Sequence, residues 1–337
     1  MKKIIIFIGC LLFSSSVFSQ ITVTPIQSNF FETSMRGLFS VDENIIWASG
    51  TGGVVMKTMN NKDWETFYHP KFKPLDFRDI HAFNENEAII MSAGDGCEIH
   101  KTKDGGNTWQ LVYENKEKGI FFDGMDFWDN KNGIAMSDPI NEELYLIETK
   151  DGGETWQKIT PNIPKTLKGE ACFAASGTSI KCVGDSTVYI GTGGGEQSRV
   201  FLSFNRGKSW QVINTPMRNG DASGIYALTF IDDKNGVAVG GNYLDSLNAE
   251  GNCIITSDGG KSWRKPKNLP KGYQSCVTAN KKGILIACGS LGINISYDKG
   301  NNWKYISDEI YNSCVLNNNN GWLVGKNGKM AKIIFRY

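Results

Sequence analysis

One phrase recurs along this chain, Ser/Thr-x-Asp-x-Gly-x-Ser/Thr-Trp, and a unit returning every roughly 20 to 50 residues restricts a fold to a solenoid, a propeller or an array. Complete copies carry Thr102, Asp104, Gly106, Thr108 and Trp109; Thr149, Asp151, Gly153, Thr155 and Trp156; and Thr256, Asp258, Gly260, Ser262 and Trp263. Two worn copies follow the same spacing from Ser203 to Trp210 and from Ser296 to Trp303, and a sixth, Thr58 to Trp64, is one residue short. The residue types suit a tight turn between strands: Asp accepts from backbone N–H groups ahead of it, Gly supplies positive φ, and the hydroxyls tie the strand ends. The Trp is then free to plug the space between neighbouring sheets.

A second phrase precedes each box: an apolar stretch, a polar turn often ending in Gly, and another apolar stretch. Leu228 to Gly240 runs this way around Asp232-Asp233-Lys234-Asn235-Gly236, and Met125 to Ser137 around Asp129-Asn130-Lys131-Asn132-Gly133. Each unit reads as strands A, B, C and D with the box between C and D, which is one four-stranded antiparallel blade. The units predict an all-β, seven-bladed β-propeller with blades at 36–68, 78–113, 121–160, 170–214, 223–266, 273–307 and 310–337. The last unit lacks a box and an outer strand. Residues 21–28, Ile-Thr-Val-Thr-Pro-Ile-Gln-Ser, are of the right length to supply that strand, so the N-terminal strand is expected to close the ring and hide its open edge. Residues 20–337 are then one propeller domain.

Residues 1–19 read as a secretory signal peptide: Lys2 and Lys3, an apolar run from Ile4 to Phe13, then small residues to Ser19, after which cleavage is expected. Cys10 offers a lipoprotein alternative, but Phe-Ile-Gly before it is a poor lipobox. The expected location is periplasmic or secreted, with no membrane insertion, because no later stretch approaches the ~20 apolar residues of a membrane helix. The chain has 36 basic and 35 acidic residues; losing the leader leaves it near neutrality, and nothing recruits nucleic acid. No Cys-x-x-Cys pair occurs and His69, His81 and His100 have no partner at ligand spacing, so neither metal nor cofactor is expected. Cys172 and Cys182 flank a turn at Ser176-Gly177-Thr178; they read either as a cross-hairpin disulfide or as two small buried hydrophobes.

The boxes resemble the Asp boxes of BNR-repeat propellers, which include sialidases, xyloglucan-active glycoside hydrolases, sortilin-type receptors and photosystem II stability/assembly factor-like proteins. The last group is the most similar, through Arg36-Gly37-Leu38, Trp47 to Gly53, Phe77-Arg78-Asp79-Ile80, and Gly193-Gly194-Gly195 with Arg199-Val200-Phe201. Many bacterial proteins of this kind carry the label oxidoreductase, which no dinucleotide-binding βαβ unit supports here. The resemblance implies a binding role. A sialidase reading meets Arg36-Gly37-Leu38 where Arg-Ile-Pro is expected, and no Gly-x-Ser-x-Gly elbow suggests a serine hydrolase.

Box aspartates sit on one rim and are structural, whereas a site is expected on the opposite face, where A strands start and B-to-C loops project. There the A-strand starts contribute Arg36, Arg78, Asp79, Asp123 and Glu170, followed by Tyr226, Tyr273 and Tyr311; the loops add Asp95, Asp138, Glu196, Arg199 and Tyr243. The expected ligand-binding set is Arg36, Arg78, Asp79, Asp123, Glu170, Arg199 and Tyr226, with arginines as anion clamps for a protein or glycan partner. The competing reading is a carbohydrate-active hydrolase or lyase with Asp123 and Glu170 as catalytic carboxylates. A third is a scaffold that binds through its outer blade surfaces.

Overall fold

The computed structural model describes residues 20–26, 32–94, 96–160 and 162–336. Seven antiparallel sheets follow one another in chain order. Their first strands, Met35–Ser40, Asp76–Ala82, Phe122–Phe127, Ile180–Val183, Ser223–Phe230, Gln274–Ala279 and Ser313–Leu316, contact one another in a ring around the central channel. Most positions of these strands are buried on both faces, including polar ones such as Asp79, His81, Asp123 and Asp126. The expected leader, residues 1–19, and Asp95 lie outside the described residues.

Ring closure uses both ends of the chain. Gln20–Ile26 pairs antiparallel with Met330–Arg336 from Gln20↔Arg336 to Ile26↔Met330, becoming the outermost strand of the seventh sheet. Ile21 and Val23 pack on the apolar cluster shared by the sixth and seventh blades.

The box forms the same turn wherever its sequence is intact. In the second blade Gly106 N–H donates to Thr102 Oγ1 at 2.9 Å, while Thr108 donates its N–H to Asp104 Oδ1 and its hydroxyl to Asp104 Oδ2 at 2.8 and 2.6 Å. Gly153 shows why the glycine is required: its φ is +83°, and a Cβ there would stand 2.2 Å from Ile89 Cδ1 of the preceding blade. Each box Trp faces backwards: Trp109 joins Trp47 of the first blade, Trp156 joins Ile89, Trp210 joins Ile134, Trp263 joins Tyr189, and Trp303 joins Val237. The short sixth box works as a joint as well, since Asn61 accepts from Trp322 Nε1 at 2.6 Å and from Lys332 Nζ at 2.6 Å, linking the first blade to the seventh. Buried lysines repeat the device, Lys57 Nζ donating to Gly105 O and Lys101 Nζ to Gly152 O, both at 3.0 Å. The box carbonyl of each next blade thereby gains a charged donor.

Two blades depart from the expected pattern. The fifth has three strands and only an isolated bridge, Ile255↔Arg264, in place of the fourth, because Pro266 shortly after it has no N–H to extend a ladder. The fourth starts at Ile180, not at Glu170. Residues 171–179 instead cross the channel. Ala175 O accepts from Arg36 of the first blade at 2.9 Å, Ala174 O from Arg78 of the second at 3.3 Å, Leu228 N of the fifth donates to Thr178 O at 2.8 Å, and Ser176 Oγ donates to Ser275 O of the sixth at 3.0 Å. The cross-hairpin disulfide is therefore not formed: Cys172 begins this crossing segment and Cys182 lies on the strand after it, both buried and free.

Candidate functional site

Five of the seven innermost strands carry a β-bulge near their start, and the extra residue is in turn Arg36, Arg78, Asp123, Tyr226 and Ser275. A bulge leaves one residue outside the ladder and re-aims its side chain. All five line one cavity of about 480 Å³ at the channel mouth, floored by the crossing segment from Cys172 to Ala175. That volume lies in the usual range for a ligand pocket.

The two arginines stand together on one side. Arg78 Nε pairs with Asp76 Oδ2 at 2.7 Å, and its guanidinium lies 5.7 Å from the centre of the Phe121 ring. Arg36 spends one N–H on the Ala175 carbonyl; burial, then the neighbouring Arg78 charge, pulls its pKa below the ordinary arginine value. An anion between them would relieve that repulsion and take up guanidinium N–H groups in a bidentate fork.

The facing wall is aromatic. Phe173 stacks on Tyr226 with ring centres 3.9 Å apart and planes at 13°, and Tyr273 meets Tyr226 edge-on at 4.9 Å. Tyr226 donates its hydroxyl to Ala222 O at 2.9 Å, and burial raises the pKa of both tyrosines well above the ordinary value. Above them Tyr243 is half exposed, and the same loop carries Leu244 and Leu247, which are 73% and 75% exposed. That loop forms an apolar lip next to a polar floor.

On the floor, Asp123 is buried and its Oδ2 has no hydrogen-bond partner. Burial, then the charge of Asp138, drives its pKa well above the carboxylate range, while Arg78 opposes the shift. Asp138 accepts the Cys172 N–H at 2.8 Å, and burial pushes its carboxyl up to about 6.

Three expected site residues stand elsewhere. Glu170 and Arg199 neutralise each other: Arg199 Nε donates to Glu170 Oε1 at 3.0 Å and Nη2 to Oε2, while Thr192 Oγ1 and Leu167 N–H occupy the same carboxylate. Glu170 therefore has no lone pair open for acid–base work and Arg199 is no free anion clamp, so the paired-carboxylate arrangement of Asp123 with Glu170 is not assembled. Asp79 is an inter-blade staple, accepting from Met125 N at 2.7 Å and Ile80 N at 2.8 Å beneath the mouth. The neighbour that Asp123 does have is Asp138. Sequence spacing hid that pairing because the two meet across a hairpin of the third blade, and hid the crossing segment because its contacts lie up to 139 residues away.

No protein-family model and no curated protein sequence matches the chain. Solved structures match its shape: YCF48 bound to D1 peptide, at 14% identity, covers 93% of this chain and 96% of its own with a TM-score of 0.66. A catalytically inactive virginiamycin B lyase from Staphylococcus aureus with quinupristin, at 12% identity, covers 94% of this chain and 99% of its own, also with a TM-score of 0.66. The WD40 repeats of RRP9, at 10% identity, cover 93% and 97% with a TM-score of 0.64. At such identities the likeness concerns the fold: this chain is a seven-bladed β-propeller.

Proposed function

We propose that this chain is an exported Asp-box propeller of the photosystem II assembly factor-like kind that binds a carboxylate-bearing peptide segment of a protein partner at the channel mouth. The observation that carries the reading is the convergence of five bulged residues on one cavity, with Arg36 and Arg78 on one side and the Phe173–Tyr226–Tyr273 wall on the other. The carboxylate lies between the guanidinium groups; an apolar or aromatic neighbour lies on the tyrosines and on the lip formed by Leu244 and Leu247. A bound peptide in the similarly folded YCF48 structure supports a peptide over other ligands of the same charge. Export rests on the leader, Lys2 to Ser19.

A fluorescence-anisotropy screen with labelled acidic peptides, run in parallel with acidic oligosaccharides, tests this reading. A peptide hit should weaken about 10- to 100-fold in Arg36→Ala and again in Arg78→Ala, the loss of about 1.5–3 kcal/mol expected for each charge-assisted hydrogen-bonding group. Oligosaccharide binding without peptide binding would replace the peptide by a glycan. Peptide binding that survives both substitutions would move the site off the mouth.

A further inference from the structure

We propose that Asp123, Asp138 and Cys172 form a binding site for a divalent transition cation of the zinc class at the floor of the mouth. The three residues are distinct from the arginine pair. One ligand atom from each residue, a carboxylate oxygen twice and Sγ once, lies within 4.8 Å of the other two. The three come from different parts of the chain: the bulge of the Phe122–Phe127 strand, the end of Gly133–Ile140, and the start of the segment that crosses the channel.

Asp123 provides the independent sign that this group is built to take a ligand. It is 1% exposed, lines the cavity, and keeps Oδ2 without any hydrogen-bond partner. A buried carboxyl oxygen left unpaired is costly: the group keeps its proton unless a cation takes the proton's place, as a coordinated metal does. Arg78, the cation that bears on it, is already engaged by Asp76 and the Ala174 carbonyl. Asp138 is oriented for the same task. Its Oδ1 holds the Cys172 N–H at 2.8 Å, which fixes the aspartate relative to the thiol and leaves Oδ2 for the ion.

The donor set selects the metal. A thiolate with two carboxylates suits zinc better than calcium or magnesium, which take oxygen ligands. Zinc bonds of about 2.3 Å to sulfur and 2.0–2.2 Å to oxygen place tetrahedral ligand atoms roughly 3.5 Å apart, so small side-chain rotations close the present spacing. Three protein ligands leave a fourth position, and here it faces the cavity. Two carboxylates and a thiolate around a divalent ion carry one net negative charge.

Cobalt(II) serves as the probe, because a thiolate ligand gives an intense near-ultraviolet charge-transfer band that oxygen ligands do not. The full chain, reduced and stripped with chelator, is titrated with Co(II) and then with Zn(II). One equivalent of Co(II) should develop the band, and Zn(II) should erase it. Cys172→Ser should abolish the band, and Asp123→Asn and Asp138→Asn should each weaken Co(II) binding at least about 10-fold while near-ultraviolet circular dichroism stays native. Cys276→Ser, which alters a separate group of buried thiols, should leave the band in place. Absence of the band in the unsubstituted protein, or a band that survives Cys172→Ser and vanishes in Cys276→Ser, overturns the assignment.

Discussion

His81 shows how a titratable side chain on an innermost strand can be structural. Its ring lies 4.3 Å from the centres of both the Phe39 and Phe127 rings and 5.1 Å from that of Phe83, with Asp126 Oδ1 at 3.9 Å from Nδ1. Burial pulls its pKa down to about 4, with Asp126 opposing the shift and Lys181 adding to it. The folded protein therefore keeps His81 neutral, whereas the unfolded chain takes up a proton near pH 6.5. The contribution to stability is complete above pH 6.5 and is lost as pH falls towards about 4, by at most about 3 kcal/mol. Urea midpoints measured from pH 7.5 to 4.5 should fall less steeply in His81→Gln than in the unsubstituted protein; parallel slopes would show that His81 is not held neutral. Residue type and strand position made much of the mouth legible in the sequence: Arg36, Arg78, Asp123 and Tyr226 line it, with Asp138, expected on a loop, from the end of Gly133–Ile140 and Tyr243 from the loop after Gly236–Asn242. Position alone could not tell them from Asp79, Glu170 and Arg199, because whether a charge is free or already partnered is decided by neighbours that strand spacing does not specify.

The elements divide in the same way. Blades with an intact box could be counted from sequence, since the box couples a turn, a positive-φ glycine and a Trp that must find the previous sheet. The crossing segment had no such signature. Its Ser176-Gly177-Thr178 has the composition of an ordinary hairpin turn, and only the tertiary fold reveals that it fills the channel. Gly177 is the position where this can be tested: φ is +71°, and a Cβ would stand 2.2 Å from Oδ1 of Asp79, whose carboxylate is held by two backbone N–H groups, one on each oxygen. Gly177→Ala should cost about 3 kcal/mol, from left-handed backbone strain and from displacing that carboxylate. Gly184 also has positive φ, +57°, but nothing lies within 4 Å of its would-be Cβ. Gly184→Ala should cost only about 1 kcal/mol. Equal shifts in denaturation midpoint would remove the packing role assigned to residue 177.

At the scale of the whole molecule, closure and function share one design. The outer strand Gln20–Ile26 and the backward-facing Trp residues hold seven sheets in a fixed ring, and the crossing segment ties the first, second, fifth and sixth blades to one floor. A frame of this kind lets side chains from separate blades meet at a mouth that no single blade could build, and under the proposed function it keeps the ordering cost of binding low. The bulges then aim those side chains. The most direct test is a crystal structure of the protein with an acidic peptide bound: the account predicts a peptide carboxylate within hydrogen-bonding distance of both Arg36 and Arg78, with an adjacent side chain against Tyr226 or Tyr243. A peptide bound instead on the box rim or along an outer blade edge, with the mouth unchanged, would contradict it.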